Sequence, residues 1–337
     1  MMLERKQKIK LKHELQLHNF MQGINRGCSR IVSNDCDIQN TQFMKRLLSI
    51  NDTQQIMYEA VENKRPFLSL RFGLYEYLLC YQYLEKLCGI RKQYSDFIKY
   101  HIQMDAGINS GDEKNLDSYC HFIITHLKKV DVMAYWRNIP PIRIFEKFYS
   151  TSIQHINVEY LYPYPFLHDS VLPYWQKSLY GKKVLVISSF AETIQNQYLN
   201  RKCIWQKANA DFILPEMELK TYKSIVTNGG MADERFCNWH DAIKYMSEDV
   251  MKMQFDLALI SAGGYGMPLA IELNSHGKKA LQWGGCFQLW FGVLGGRWCQ
   301  DPKVKAFQNE YWVFPSLKET PPQFKKVNNS SYWNPEL

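Results

Sequence analysis

Residues 255–285, FDLALISAGGYGMPLAIELNSHGKKALQWGG, constrain the fold of this chain more than any other stretch. An apolar run at 257–260 meets the glycine turn Ala262-Gly263-Gly264-Tyr265-Gly266, and a helical pattern follows at once. Pro268 suits a first helical turn, where its missing N–H leaves no bond unmade, and Gly277 suits a left-handed helix stop. A second apolar run at 280–283 then ends in Gly284-Gly285. The pattern reads as strand, helix, strand, with a glycine turn at the carboxyl end of each strand, where open parallel sheets bind ligands. N–H groups bared by such a turn, with a helix start behind them, favour an anion.

The same alternation recurs upstream. Residues 67–70 form a short apolar run ending in Arg71-Phe72-Gly73, and Leu74, Leu78, Leu84 and Leu87 then share one helical face up to Gly89. Strands are expected at 130–135, 156–161 and 183–187, the last running into Ser188-Ser189-Phe190 and a helix from Ala191-Glu192-Thr193. Phe43, Met44, Leu47 and Leu48 begin a helical stripe. Asp52 or Thr53 would cap the next helix, and Asn238 a long one through Trp239, Ile243, Met246 and Val250. The fold expected is α/β: a Rossmann-like, doubly wound, mostly parallel sheet. It occupies a single domain at 41–315, with a helical basic extension at 1–40 and a surface tail at 316–337.

Composition narrows the function classes. The 337 residues are 46% hydrophobic, yet no apolar run approaches the roughly 20 residues of a membrane span. The nine cysteines are scattered without a C-x-x-C pair, the usage of reduced thiols in a cytoplasmic protein. In the first thirty residues Arg5, Lys6, Lys8, Lys10, Lys12, Arg26 and Arg30 stand against Glu4 and Glu14, so the N-terminus carries most of the net charge of +8. A nearly neutral body argues against a nucleic-acid partner. The basic segment reads either as a solvated extension or as a helix making peripheral contact with a membrane, at its cytoplasmic face.

Four strand ends carry polar or glycine-rich residues, and in a doubly wound sheet they converge on one crevice. The candidate ligand-binding set is Arg71 and Gly73 from the first, Ser188, Ser189, Glu192 and Thr193 from the second, Ser261, Gly263, Gly264, Tyr265 and Gly266 from the third, and Trp283, Gly284, Gly285 and Gln288 from the fourth. A dinucleotide partner is disfavoured. GGxG is not the full GxGxxG pattern, and Gln282-Trp283 stands where an NAD-binding unit places its ribose-binding acid. The glycines alternatively serve only tight strand–helix packing. Asp35-Cys36-Asp37 reads as a turn.

The hexapeptide Arg71-Phe72-Gly73-Leu74-Tyr75-Glu76 resembles the RFGDGE motif of GT-D-type glycosyltransferases. The likeness extends through KKVLVISSF, SAGGYGMPLA and GKKALQWGG, from about residue 66 to 298. The resemblance implies a nucleoside-diphosphate sugar donor, UDP-type, a glycan or lipid-linked acceptor, and a D-x-E element engaging Mg²⁺ or Mn²⁺. Leu74 replaces the Asp of that element and Tyr75 the second Gly, leaving Glu76 as its one carboxylate. Hard divalent cations prefer several oxygen ligands, so either another acid joins Glu76, or Arg71 and the glycine turns meet the diphosphate charge. Glu218, then Glu216, are the candidates to act on the acceptor. Three functions stay open: a glycosyltransferase, a non-catalytic nucleotide- or sugar-binding module, and an NAD(P)-dependent enzyme.

Overall fold

The computed structural model describes residues 4–27, 47–109, 111–135, 153–163 and 174–337. Asp35, Asp37, Phe43 and Met44 lie outside the described residues. In chain order the elements that shape the site are α1 (Arg5–Gly27), α2 (Ile50–Glu62), β1 (Phe67–Arg71), α3 (Leu74–Leu87), α4 (Asp96–His101), α5 (Glu113–His126), β2 (Val132–Tyr135) and β3 (Gln154–Asn157). They continue with β4 (Lys183–Ser188), α6 (Ala191–Leu199), β5 (Glu218–Lys223), α7 (Trp239–Val250), β6 (Leu257–Ser261), α8 (Gly266–Ser275), β7 (Lys279–Gln282) and α9 (Cys286–Trp290). Among the described residues seven strands form one sheet, in the order β3-β2-β1-β7-β6-β4-β5, with every pairing between them parallel.

Apolar residues on the central strands face both ways, because successive side chains point to opposite faces of the sheet. Leu68, Leu70, Leu185, Ile187, Ala258 and Ile260 enter a core shared with α3, α5, α7 and α8. Phe67, Val184, Val186, Leu257, Leu259 and Leu281 enter a second core with α2, α6 and α9. The chain leaving β1 and β6 therefore turns to one face, and the chain leaving β4 and β7 turns to the other. Between these diverging exits the carboxyl edge opens into a crevice, as in other open parallel sheets.

Local sequence accounts for most boundaries. Asn238 caps α7 by accepting from the N–H groups of His240 and Asp241. Gly89 and Gly277 take the left-handed conformation that stops α3 and α8. At α2 the cap is Ser49, which accepts from Asp52 N–H, rather than Asp52 or Thr53. The strand expected at 156–161 is shorter and earlier: β3 ends at Asn157, whose side chain accepts from Glu159 N–H and starts a 3₁₀ turn (Val158–Leu161).

Residues 316–337, expected on the surface, pack into the body. Val327 and Trp333 are buried, and the Trp333 indole N–H donates to the Glu319 carbonyl at 3.0 Å. The segment has too little periodicity to announce a core element, and its docking depends on partners far away in sequence.

Candidate functional site

A cavity of about 390 Å³ occupies the crevice at the carboxyl ends of β1, β4, β6 and β7. Of the residues expected there, Arg71, Gly73, Glu76, Ser189, Ser261, Gly263, Gly284 and Gly285 line it. Four strand ends thus supply one site, as the doubly wound pattern implied.

Arg71 ends β1, its N–H donating to the Gln282 side chain of β7 at 3.0 Å. Its guanidinium lies across Gly284, which takes φ 58° and where a Cβ would stand 2.5 Å from Nη2. Gly284 therefore combines a left-handed turn with room for Arg71, and only glycine supplies both without strain. Arg297 also lines the cavity, its guanidinium 4.1 Å from the centre of the Tyr332 ring. Both cations lower the Cys286 thiol pKa, against the burial that raises it overall.

Glu76 sits in the first turn of α3 and is buried. Its carboxyl folds back over Gly73, the N-cap, so that any Cβ at position 73 would collide with it. Burial raises the Glu76 pKa, opposed by Arg71 and its own N–H and reinforced by Asp105.

Asp105, which carried no sequence signal, is the second acid on the cavity wall. It closes a single π turn (Ile102–Ala106) that continues α4 and ends at the left-handed Gly107. One carboxylate oxygen makes a very short contact with His101 Nδ1, and the other accepts from Asn328 N–H at 3.0 Å. Asn228 in turn donates to the Asp105 carbonyl at 2.6 Å. Asp105 thus ties three distant segments together at the rim.

The remaining expected residues lie elsewhere. Glu218 opens β5, at the amino end of an edge strand, exposed and paired with Lys220 at 3.6 Å. Glu216 is exposed just before it. At about 3.3 Å per residue, the six-residue strand separates both acids from the carboxyl edge, so neither reaches the crevice. Trp283 is buried in the core, its indole donating to Ser69 Oγ at 2.9 Å. Gln288 spends its amide on the Leu294 and Tyr332 carbonyls. Tyr265 is buried against Thr227, 3.0 Å between hydroxyls, and accepts from Asn109 N–H. Gly264 and Gly266 give way to Ile108 and Gln282, the packing role that was the alternative for the glycine turn. Ser188 is buried, and its hydroxyl accepts from Phe190 N–H.

The start of α6 holds a further surprise. Its N–H groups at Glu192 and Thr193, expected to face a phosphate, donate to the carboxylate of Glu319 at 2.9 and 3.3 Å. Thr193 Oγ1 makes a very short bond to the same group. A carboxylate from the C-terminal segment thus fills the anion position that a helix N-terminus offers.

A divalent cation does not fit the residues present. Among the described residues no three His, Cys, Asp or Glu side chains gather as a ligand set. Of these residues only Glu76 and Asp105 supply carboxylates to the cavity wall, Asp105 is committed to His101 and Asn328, and position 74 is leucine. Positive charge comes instead from Arg71 and Arg297.

Sequence reasoning missed four polar or aromatic contributors besides Asp105. Asn228, Asn328, Tyr332 and Trp333 reach the cavity from loops and from the C-terminal segment. The triplet Asn328-Asn329-Ser330 runs left-handed at φ 43°, 52° and 61°, unusual for consecutive non-glycine residues. Asn328-Asn329 was the available signal, since asparagine tolerates that region best.

No family model matches the chain, and no curated protein or solved structure matches it either. Among the described residues no helix is long and apolar enough to cross a membrane.

Proposed function

We propose that the crevice binds a nucleoside-diphosphate sugar, UDP-type, and that the protein transfers the sugar to a glycan or lipid-linked acceptor. The observation that carries this reading is the convergence of Arg71 and Arg297 on one cavity at the carboxyl edge of a parallel sheet, beside the Gly263 and Gly284-Gly285 turns. Two guanidiniums meet a diphosphate with planar, multidentate donors, a role lysine fills less well. The RFGLYE likeness to GT-D enzymes points the same way.

In the transfer, an acceptor hydroxyl oxygen bonds to the anomeric carbon as the bond from that carbon to the diphosphate oxygen breaks. The electron pair leaves with the nucleoside diphosphate, whose charge Arg71 and Arg297 offset. The hydroxyl proton passes to Glu76, whose pKa burial shifts upward, the direction a base working near neutral pH needs. Glu216 and Glu218 have no part in this step.

The second reading, a sugar-nucleotide-binding module without catalysis, draws on Leu74 at the position of the family's Asp. Calorimetric titration with UDP-, GDP-, CMP- and dTDP-sugars and with NAD(P), with and without Mn²⁺, separates the readings. Arg71→Ala and Arg297→Ala should each weaken sugar-nucleotide binding at least tenfold, as charge-assisted bonds are lost. Binding of NAD(P) alone would refute both sugar readings. Binding of a sugar nucleotide with neither hydrolysis nor transfer would select the module.

A further inference from the structure

The basic N-terminal segment is a helix seated on the body. Leu11 and Leu15 of α1 are fully buried in the core beside α3. Asn19 donates to Glu85 at 2.7 Å and accepts from the Tyr81 hydroxyl at 3.1 Å, while Cys88 Sγ reaches the Lys8 carbonyl. With the inner face fixed, the rest of the helix has a defined outward face.

That face is unusual. At 100° per residue, Lys6, Ile9, Lys10, His13 and Leu17 form one stripe at three- and four-residue spacing, and all five are exposed. Arg5, also exposed, flanks it on one side, and half-buried Glu14 on the other. Ile9 and Leu17 leave 52% and 59% of their surface in solvent although the inner face is already packed. No acidic residue interrupts the stripe.

We infer that α1 is a docking surface for an anionic lipid bilayer, lying flat with Ile9 and Leu17 among the acyl boundary and the cations at the headgroups. Charge complementarity favours any polyanion, but the two apolar side chains decide between them. A phosphate backbone or an acidic protein surface leaves them in water, whereas a membrane interface buries them between the lysines. α1 lies along the later turns of α3, meeting Tyr81, Glu85 and Cys88, so docking sets that flank of the body against the bilayer.

Co-sedimentation of the full chain with vesicles tests this directly. Binding is expected to vesicles containing one-third phosphatidylglycerol, to fall steeply with added salt, and to be negligible with phosphatidylcholine alone. Lys6→Ala/Lys10→Ala should lower the partition coefficient roughly thirtyfold, at about fivefold per charge. Ile9→Ser/Leu17→Ser should weaken it without removing its salt dependence. These side chains are exposed, so the circular dichroism of each variant should match the parent. Equal binding to neutral vesicles, or no loss in the lysine double variant, would overturn the inference. So would an anionic-vesicle assay without binding alongside retention on heparin that survives Ile9→Ser/Leu17→Ser.

Discussion

Replacing Glu319 by alanine removes the carboxylate that holds the C-terminal segment to the start of α6. The group is buried and accepts from Glu192 N–H, Thr193 N–H, Thr193 Oγ1 and, at 3.1 Å, Ser316 Oγ. A hydrogen bond to a charged group contributes about 1.5–3 kcal/mol, and a helix N-terminus adds about 0.3–1 kcal/mol for a nearby anion. These terms share one carboxylate and do not add in full, so the expected loss is about 3–4 kcal/mol. At about 2–4 °C per kcal/mol, that lowers Tm by roughly 6–16 °C. Urea denaturation should show a lower midpoint with little change in slope, and Glu319→Gln should fall between parent and alanine variant. Millimolar phosphate should stabilise the alanine variant more than the parent, because the vacated N–H groups then accept an external anion. A loss below about 0.5 kcal/mol, within the usual range of surface substitutions, would refute the claim that Glu319 secures the segment.

Glu76→Gln should remove one component of the pH dependence of stability. The Glu76 pKa is raised in the folded state, so its contribution is full below the unfolded value near 4.3 and is lost as pH rises through the folded value. The parent's Tm should therefore fall relative to the glutamine variant between pH 4 and pH 8; parallel curves would contradict burial as the cause. Gly284→Ala adds about 1–2 kcal/mol of left-handed strain and presses on Arg71, so sugar-nucleotide affinity measured by calorimetry should drop together with Tm. Ser330→Gly relieves a left-handed serine at φ 61° and should stabilise the chain by about 1 kcal/mol in urea denaturation.

The sequence by itself determined the α/β class, the central strands and the edge of the sheet where the cavity opens. Buried parallel strands must be apolar on both faces, so LALI and KVLVI declare themselves, and Asn238, Gly89 and Gly277 mark helix ends through short-range bonds. Arg71, Gly73, Glu76 and the Gly284-Gly285 turn were legible because each directly follows such a strand or starts the helix behind it. Tertiary structure alone decided the rest. Whether a helix N-terminus meets a ligand or a residue of its own chain depends on what folds over it, and Glu319 approaches α6 from 126 residues away. Glu218 was drawn to the crevice by its extended neighbourhood, but strand direction puts it at the opposite end of β5. Asp105, Asn328 and Tyr332 sit in loops and irregular turns, where no period in the sequence fixes direction. Their place at the cavity comes from contacts between segments that the chain brings together only when the sheet has formed.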